Sequence, residues 1–168
     1  VRREDPMVKQ LLAAKREDPS LAIDSGGRWT GSQPLLMVAA DSDPGRKTGE
    51  VALAQFEKLG FKIRFRTASD AALGTKFCGL PAAKVAICPN FSFTRDYNDP
   101  QGLLDPVFNG RNIAPANNAN WSQLDDPTLN RATHAAARLP AGAARNRAWG
   151  NVDRMATAQA PGIPFLWD

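Results

Sequence analysis

The sequence predicts an α/β fold, in which helices flank a mainly parallel sheet. Residues 35–40 form a continuous apolar run, which is typical of a strand covered on both faces. Residues 61–66 alternate apolar and basic side chains, as in a strand with one solvated face. A helical segment over 43–59 separates them, and a strand–helix–strand unit predicts a parallel pair joined by a right-handed crossover.

Four helices are predicted, and three of them begin at an Asp-Pro pair. Asp accepts a hydrogen bond at the N-cap. Pro fits the first helical position because the backbone N–H that it lacks would be unpaired there in any residue. The pairs are Asp5-Pro6, Asp43-Pro44 and Asp126-Pro127. The fourth helix is predicted over about 143–159, with an apolar face formed by Trp149, Val152 and Met155.

The remaining segments predict two short strands and one long loop. The strands are Lys84 to Cys88 and Ile163 to Trp167. The loop over 89–123 is rich in Asn, Asp, Gly and Pro, and a loop of this length is usually functional or disordered. Its embedded aromatic side chains favour an ordered one. We expect residues 1–168 to form a single lobe, with an N-terminal helix and linker over 1–33 and the α/β body over 34–168.

The charge pattern and the hydropathy argue against a nucleic-acid partner and against a membrane-spanning segment. The chain has 21 Lys and Arg against 17 Asp and Glu, a net charge of +4. These charges are scattered and form no basic stripe interleaved with aromatics, so we expect no nucleic-acid partner. The longest apolar run, residues 35–40, is far too short to cross a bilayer. The chain opens on a charged stretch with no signal-peptide core, and we expect it to belong to a longer protein.

Catalytic and metal-binding motifs are absent from the sequence. The one histidine, His134, lies inside the third predicted helix, and a metal site needs several converging ligands. No Cys-x-x-Cys pair, Gly-x-Ser-x-Gly elbow, phosphate-binding Gly-rich loop or His-Glu-x-x-His helix occurs. The neighbouring Asp125 and Asp126 lie where a helix cap explains them. We therefore expect no enzymatic activity, no metal and no cofactor.

The two cysteines, Cys78 and Cys88, flank a turn that contains Pro81. The turn could return the ends of the segment to within bonding distance. The residues alone leave a disulfide and two free thiols equally open. An exported location would favour the disulfide.

Several segments together resemble a known family. Residues 91–100 read Phe-Ser-Phe-Thr-Arg-Asp-Tyr-Asn-Asp-Pro, and residues 104–108 read Leu-Asp-Pro-Val-Phe. With the turn at 58–63 and the Ala-Pro-Gly-Ile-Pro ending at 160–164, they resemble the oligopeptide/dipeptide-binding family of extracellular solute-binding proteins (family 5). These proteins partner ATP-binding cassette importers. The resemblance covers roughly residues 34–168.

This resemblance implies a fold, a function and partners. The fold would be a lobe of the periplasmic-binding-protein type II kind, here the C-terminal lobe of a two-lobed protein. The function would be that of the substrate-binding component of an importer, monomeric and without catalysis. Its partners would be a peptide-like solute and a membrane permease, and its location extracellular, at the cell surface as a lipoprotein or periplasmic. Such an exported location implies the Cys78–Cys88 disulfide. The alternatives are a sensor or regulator with a borrowed lobe, or a non-peptide solute such as a nickel complex or a sugar.

The resemblance also implies ligand-binding residues. Asp96 matches the family's Asp that pairs with the ligand's amino terminus, and Phe93 and Thr94 would line the same site. Phe93 stands where the family usually has Trp, and Arg95 where a small residue is common, so the ligand class stays open. The alternative for Asp96 is a turn cap or a pair with Arg95. Asp99 is interpreted as a turn residue whose removal costs little binding.

Overall fold

The computed structural model describes residues 6–89 and 92–162, which divide into two compact units. Within these residues the first unit takes in 6–73 and 84–89, and the second takes in 74–83 and 92–162. The organisation predicted from the sequence, one lobe with its body over 34–168, stays a prediction.

The first unit is built on the expected strand–helix–strand motif. Strand β1 covers Leu35–Ala40, helix α2 covers Gly45–Lys58 and strand β2 covers Ile63–Ala68. The strands are parallel, and their register runs from Leu35 opposite Ile63 to Ala40 opposite Ala68. β1 is buried from Met37 onward, as its apolar run predicts. The predicted parallel pair is therefore confirmed.

The predicted start of α2 is wrong in one detail. The helix begins at Gly45, and its N-cap residue is Pro44, which offers no side-chain hydrogen bond. Asp43 therefore lies outside the capping position. Its carboxylate instead forms exposed ion pairs, at 2.9 Å with Lys47 Nζ and 3.6 Å with Arg46 Nε.

The strand predicted over Lys84 to Cys88 is also wrong in its extent. Only Ile87 pairs, as an isolated parallel bridge with Met37. A 3₁₀ turn over Pro81–Ala83 and a positive φ of 50° at Lys84 redirect the chain just before this segment, which shortens the extended stretch. The sheet among the described residues therefore has two strands. The other predicted strand, Ile163 to Trp167, lies outside these residues.

Helix α1 covers Pro6–Glu17 and buries Val8 completely. The segment that follows it packs against the end of α2. The ring of Trp29 stacks on Phe61 with centroids 5.2 Å apart, and its backbone N–H donates to the carbonyl of Leu59 at 2.6 Å. Gly60 has φ of +92°, and a Cβ there would lie 2.5 Å from the carbonyl oxygen of Trp29. Only glycine fits this turn without strain.

The second unit consists mainly of three helices around one apolar core. They are α4 over Gln101–Phe108, α5 over Pro127–Ala137 and α6 over Ala143–Ala158. The buried core residues are Leu104, Leu129, Ala136, Trp149, Val152 and Ala156. The Asp-Pro start of α5 is confirmed, because Asp126 Oδ1 accepts from the backbone N–H of Leu129 at 2.7 Å.

Helix α4 and a 3₁₀ turn over Gly110–Asn112 lie inside the segment predicted as a loop. That prediction rested on composition, and it is wrong over these residues. Leu104 and Val107 are buried, and a Pro at position 106 does not prevent the helix. The packing of these two side chains outweighs the unfavourable propensities of Gly102 and Pro106.

Two buried asparagines organise the rest of this loop. Asn118 Oδ1 accepts from the backbone N–H of Ala114 at 3.2 Å. Asn120 donates to the carbonyl of Leu124 at 2.9 Å and accepts from its N–H at 3.1 Å. These side chains pair main-chain groups that no helix or sheet would satisfy. A very short helix α3, Asp70–Ala72, and a π-helical turn over Leu73–Phe77 complete the described elements.

Within residues 6–89 and 92–162, no helix is long and apolar enough to span a membrane.

Candidate functional site

The segment that carries the family resemblance lies in the second unit, directly before α4. Phe93 is half-buried, and its ring meets that of Trp121 edge-on, with centroids 6.2 Å apart. Thr94 and Asp96 are exposed. The structure thus places the three predicted ligand-binding residues on one short stretch, with Phe93 as its packed end.

Asp96 is held by its backbone and leaves its side chain available. Its N–H donates to the carbonyl of Gly102 at 3.4 Å. That carbonyl is free to accept because Pro106, four residues further along α4, has no N–H to donate to it. The carboxylate of Asp96 forms no hydrogen bond or ion pair with any described residue. Neither the turn cap nor the pair with Arg95 is found here.

The turn cap is Asp99. Its Oδ1 accepts from the backbone N–H of Gln101 at 2.9 Å, at the start of α4. The same carboxylate receives two bonds from Arg145, with Nε at 3.1 Å from Oδ2 and Nη2 at 3.0 Å from Oδ1. The interpretation of Asp99 as a simple turn residue is therefore incomplete. The bond from Arg145 and then that from the Gln101 N–H lower the pKa of Asp99 below its ordinary value of 3.8.

Arg145, in the first turn of α6, uses every N–H of its guanidinium group. Besides Asp99, it donates from Nη2 to Gln101 Oε1 at 3.0 Å. Its Nη1 donates to the carbonyls of Ala136, Ala137 and Leu139 at 2.9–3.1 Å. Carbonyls at the end of a helix have no partner within it, so Arg145 caps the C-terminus of α5. Its bond to Asp99 raises the pKa of Arg145.

Arg145 could not be identified from the sequence. The residue lies 46 positions from Asp99, and nothing in its local pattern distinguishes it from the other arginines of α6. Its side chain is 11% exposed and its guanidinium carbon lies 5.7 Å from the centre of the Trp149 ring. A buried arginine needs partners for its charge, and only the structure shows that Asp99 supplies the charge.

The surface cavities of the described residues include one in each compact unit. One, of about 280 Å³, is lined by Arg95, Asn98, Asp99, Pro100 and Leu103. The other, of about 600 Å³, lies in the first unit and is lined by Lys9, Leu12, Lys15, Arg16, Ile23, Asp24 and Ser25. Neither is lined by Phe93, Thr94 or Asp96; of these residues, Thr94 and Asp96 are exposed and Phe93 is half-buried.

Both cysteines, Cys78 and Cys88, are disulfide-bonded, and the chain has no others. The disulfide that the resemblance implied is therefore present. No group of three or more His, Cys, Asp or Glu side chains that could hold a metal ion occurs among residues 6–89 and 92–162.

No family model matches the sequence, and no curated protein matches it. Solved structures do match. The clavulanic acid biosynthesis oligopeptide binding protein 2 aligns with a TM-score of 0.69 at 20% identity, over 76% of this chain and 24% of its own. HbpA2 from Haemophilus parasuis aligns with a TM-score of 0.69 at 18% identity, over 91% of this chain and 28% of its own. The chain has the fold of part of a periplasmic solute-binding protein.

A third match is the periplasmic binding protein DppA from Helicobacter pylori, described as associated with an ABC transporter and solved with the peptide STSA. It aligns with a TM-score of 0.60 at 15% identity, over 76% of this chain and 24% of its own. The expected α/β lobe with a parallel strand pair is thus confirmed, and so is the resemblance at the level of the fold. The chain spans about a quarter of the length of these three proteins.

Proposed function

We propose that this chain is part of the substrate-binding component of an ATP-binding cassette importer, which captures peptide-like solutes outside the cytoplasm. The observation that carries the proposal is the shared fold with proteins described as peptide-binding. Within that fold, the chain presents a carboxylate that is not used for its own structure. The partners are a peptide-like solute and a membrane permease, and the protein works by binding and release without catalysis.

Asp96 is the proposed contact to the ligand's amino terminus. A carboxylate and an ammonium form a strong charge-assisted hydrogen bond, which gains strength when a closing site excludes water. Asp96 suits this role because its backbone is fixed by Gly102 while its side chain is exposed and without a partner among the described residues. Phe93 would supply an apolar wall and Thr94 a hydroxyl group next to it.

The first prediction is that Asp96→Asn weakens peptide binding about 100-fold or more. Binding is that of the full-length protein of which this chain is proposed to be part. Removing one charge of a pair that is buried on closure costs about 3–5 kcal/mol, which corresponds to two to three and a half orders of magnitude in Kd. Binding would be measured by equilibrium dialysis with an equimolar library of unmodified tripeptides. The same library acetylated at the amino terminus lacks the ammonium and should bind the wild type correspondingly weakly.

The matched control is Asp153→Asn. Asp153 is an exposed carboxylate on α6 that forms no hydrogen bond or ion pair with a described residue, so this change removes the same charge away from the site. It should leave both libraries unaffected. Equal binding of the free and acetylated libraries by the wild type would reject recognition of the amine by Asp96.

A further inference from the structure

The loop from Asp96 to Gly102 is closed by its own hydrogen bonds. The N–H of Asp96 donates to the carbonyl of Gly102, and the N–H of Gly102 donates to the carbonyl of Asp99 at 2.9 Å. A Cβ at Gly102 would lie 3.0 Å from the carbonyl oxygen of Tyr97, a tight contact that the loop could accommodate only by shifting. Asp96 and Asp99 therefore belong to one hydrogen-bonded loop, which we call the Asp96 loop (residues 96–102).

Arg145 is the side chain that ties this loop to the helices behind it. It binds both carboxylate oxygens of Asp99 and the side chain of Gln101, while its Nη1 binds carbonyls at the end of α5. A planar guanidinium with five donors can make these bonds at once. A lysine ammonium has three donors and cannot bind both carboxylate oxygens through two parallel N–H groups. Arg145 therefore links the Asp96 loop to the C-terminus of α5 and to its own helix, α6.

We infer that Arg145 is a positioning residue for ligand binding: through Asp99 it sets where the carboxylate of Asp96 is presented. The inference rests on the proposed recognition of an amine by Asp96. Arg145 itself does not touch the ligand, since its donors are all engaged within the protein. The proposed ligand contact, Asp96, lies three residues before Asp99 in the same loop. A shift of Asp99 would therefore move Asp96 as well.

The test is the preference of the full chain for the free over the acetylated tripeptide library, measured well below the melting temperature. Arg145→Lys should reduce that preference about tenfold, the equivalent of one charge-assisted hydrogen bond. A residue that only stabilises the fold would lower the melting temperature and leave the preference of the folded molecules unchanged. The matched control is Arg147→Lys, which changes an exposed arginine on the same helix and should change neither quantity.

Asp99→Asn provides a second variant, because it keeps an acceptor for the Gln101 N–H while removing the charge that Arg145 binds. It should reduce the preference in the same way, and it keeps the test decisive if Arg145→Lys does not fold. If the wild type prefers the free library and Asp96→Asn abolishes that preference, but neither Asp99→Asn nor a folded Arg145→Lys changes it, the positioning role is overturned and the proposed function stands. If the wild type shows no preference, recognition of the amine by Asp96 is rejected, and the positioning role of Arg145 falls with it, while the proposed importer function is left to the binding of solutes without an ammonium.

Discussion

Two carboxylates three positions apart have different surroundings in this protein. Asp99 is bound by Arg145 and by the N-terminus of α4, whereas the Asp96 carboxylate has no partner in the part of the chain that the structure describes. Both stand in a stretch of turn-forming residues, although only Asp99 precedes a proline, as the Asp residues at the predicted helix starts do. Their difference comes from the start of α4, which is local, and from Arg145, which is distant in sequence and close in space.

The bound state of Asp99 makes part of the folding stability pH-dependent. Because its pKa is lowered in the folded state, the ionised form contributes stability above the unfolded pKa of about 3.9, and this contribution is lost as the pH falls through the folded pKa. We predict that Asp99→Asn lowers the free energy of unfolding by about 2 kcal/mol near neutral pH, and that the difference from wild type shrinks below about pH 4. Urea unfolding at a series of pH values would measure it.

Arg145→Ala supplies the control for this pH series. Arg145 is the largest cause of the lowered pKa of Asp99, so in an Arg145→Ala background the effect of Asp99→Asn should be much smaller. Lys47→Ala removes an ion pair whose two side chains are 72% and 40% exposed, and because water screens such a pair, the change should affect stability little. A pH-independent difference for Asp99→Asn would contradict the assignment.

At the scale of elements, α2 packs closely on the sheet through a glycine. Gly49 is buried, and a Cβ there would lie 2.5 Å from the Cβ of Ala39 and 3.2 Å from the ring of Phe65. Both neighbours belong to strands whose register is fixed by the parallel ladder, so neither can retreat without moving a strand. The close approach of helix and sheet therefore depends on the missing side chain.

We predict that Gly49→Ala destabilises the protein by about 1–3 kcal/mol, although alanine is the better helix former, because the added methyl overpacks the interface. The matched control is Val51→Ala on the same helix, where the side chain is 62% exposed and the change should cost little. Thermal unfolding of both variants decides the matter. A stabilised Gly49→Ala protein would show that helix propensity outweighs the packing at this position.

The elements that the sequence predicted correctly are those with a local signal. The apolar run of β1, the alternation in β2 and the Asp-Pro start of α5 each report a property of a few neighbouring residues. Helix α4 follows an Asp-Pro pair, Asp99-Pro100, but its interior has the composition of a turn, and its formation depends on the burial of Leu104 and Val107. The short extent of the Ile87 bridge likewise depends on the backbone at Lys84, which composition does not reveal.

At the scale of the whole chain, the family resemblance predicted the fold, the disulfide and a ligand-binding segment; the structure supports the first two, and the ligand-binding segment stays a proposal. The resemblance could not supply the network around Arg145, because no motif joins residues 99, 101 and 145. Two compact units, each with buried apolar residues of its own, account for the described structure. The monomeric state and the partners stay predictions.

The disulfide should make stability depend on redox conditions. We predict that reducing Cys78–Cys88 lowers the free energy of unfolding by about 3 kcal/mol, the loop-closure entropy of a link between residues ten positions apart. Denaturant unfolding with and without a reductant measures the effect. Thiol titration of the denatured, unreduced protein should detect no free sulfhydryl, and two per chain would contradict the disulfide. A Cys78→Ser, Cys88→Ser double variant should be insensitive to the reductant.

The chain contains a single tyrosine, Tyr97, which directly follows Asp96 and is 50% exposed. Because no other tyrosine occurs, isotope labelling of this amino acid alone would give one set of ring resonances, with no assignment needed. The signal would arise from the residue next to the proposed ligand contact and inside the loop that Arg145 holds. Its chemical shift would therefore report any solute that settles on that surface, whatever the chemical class of the solute.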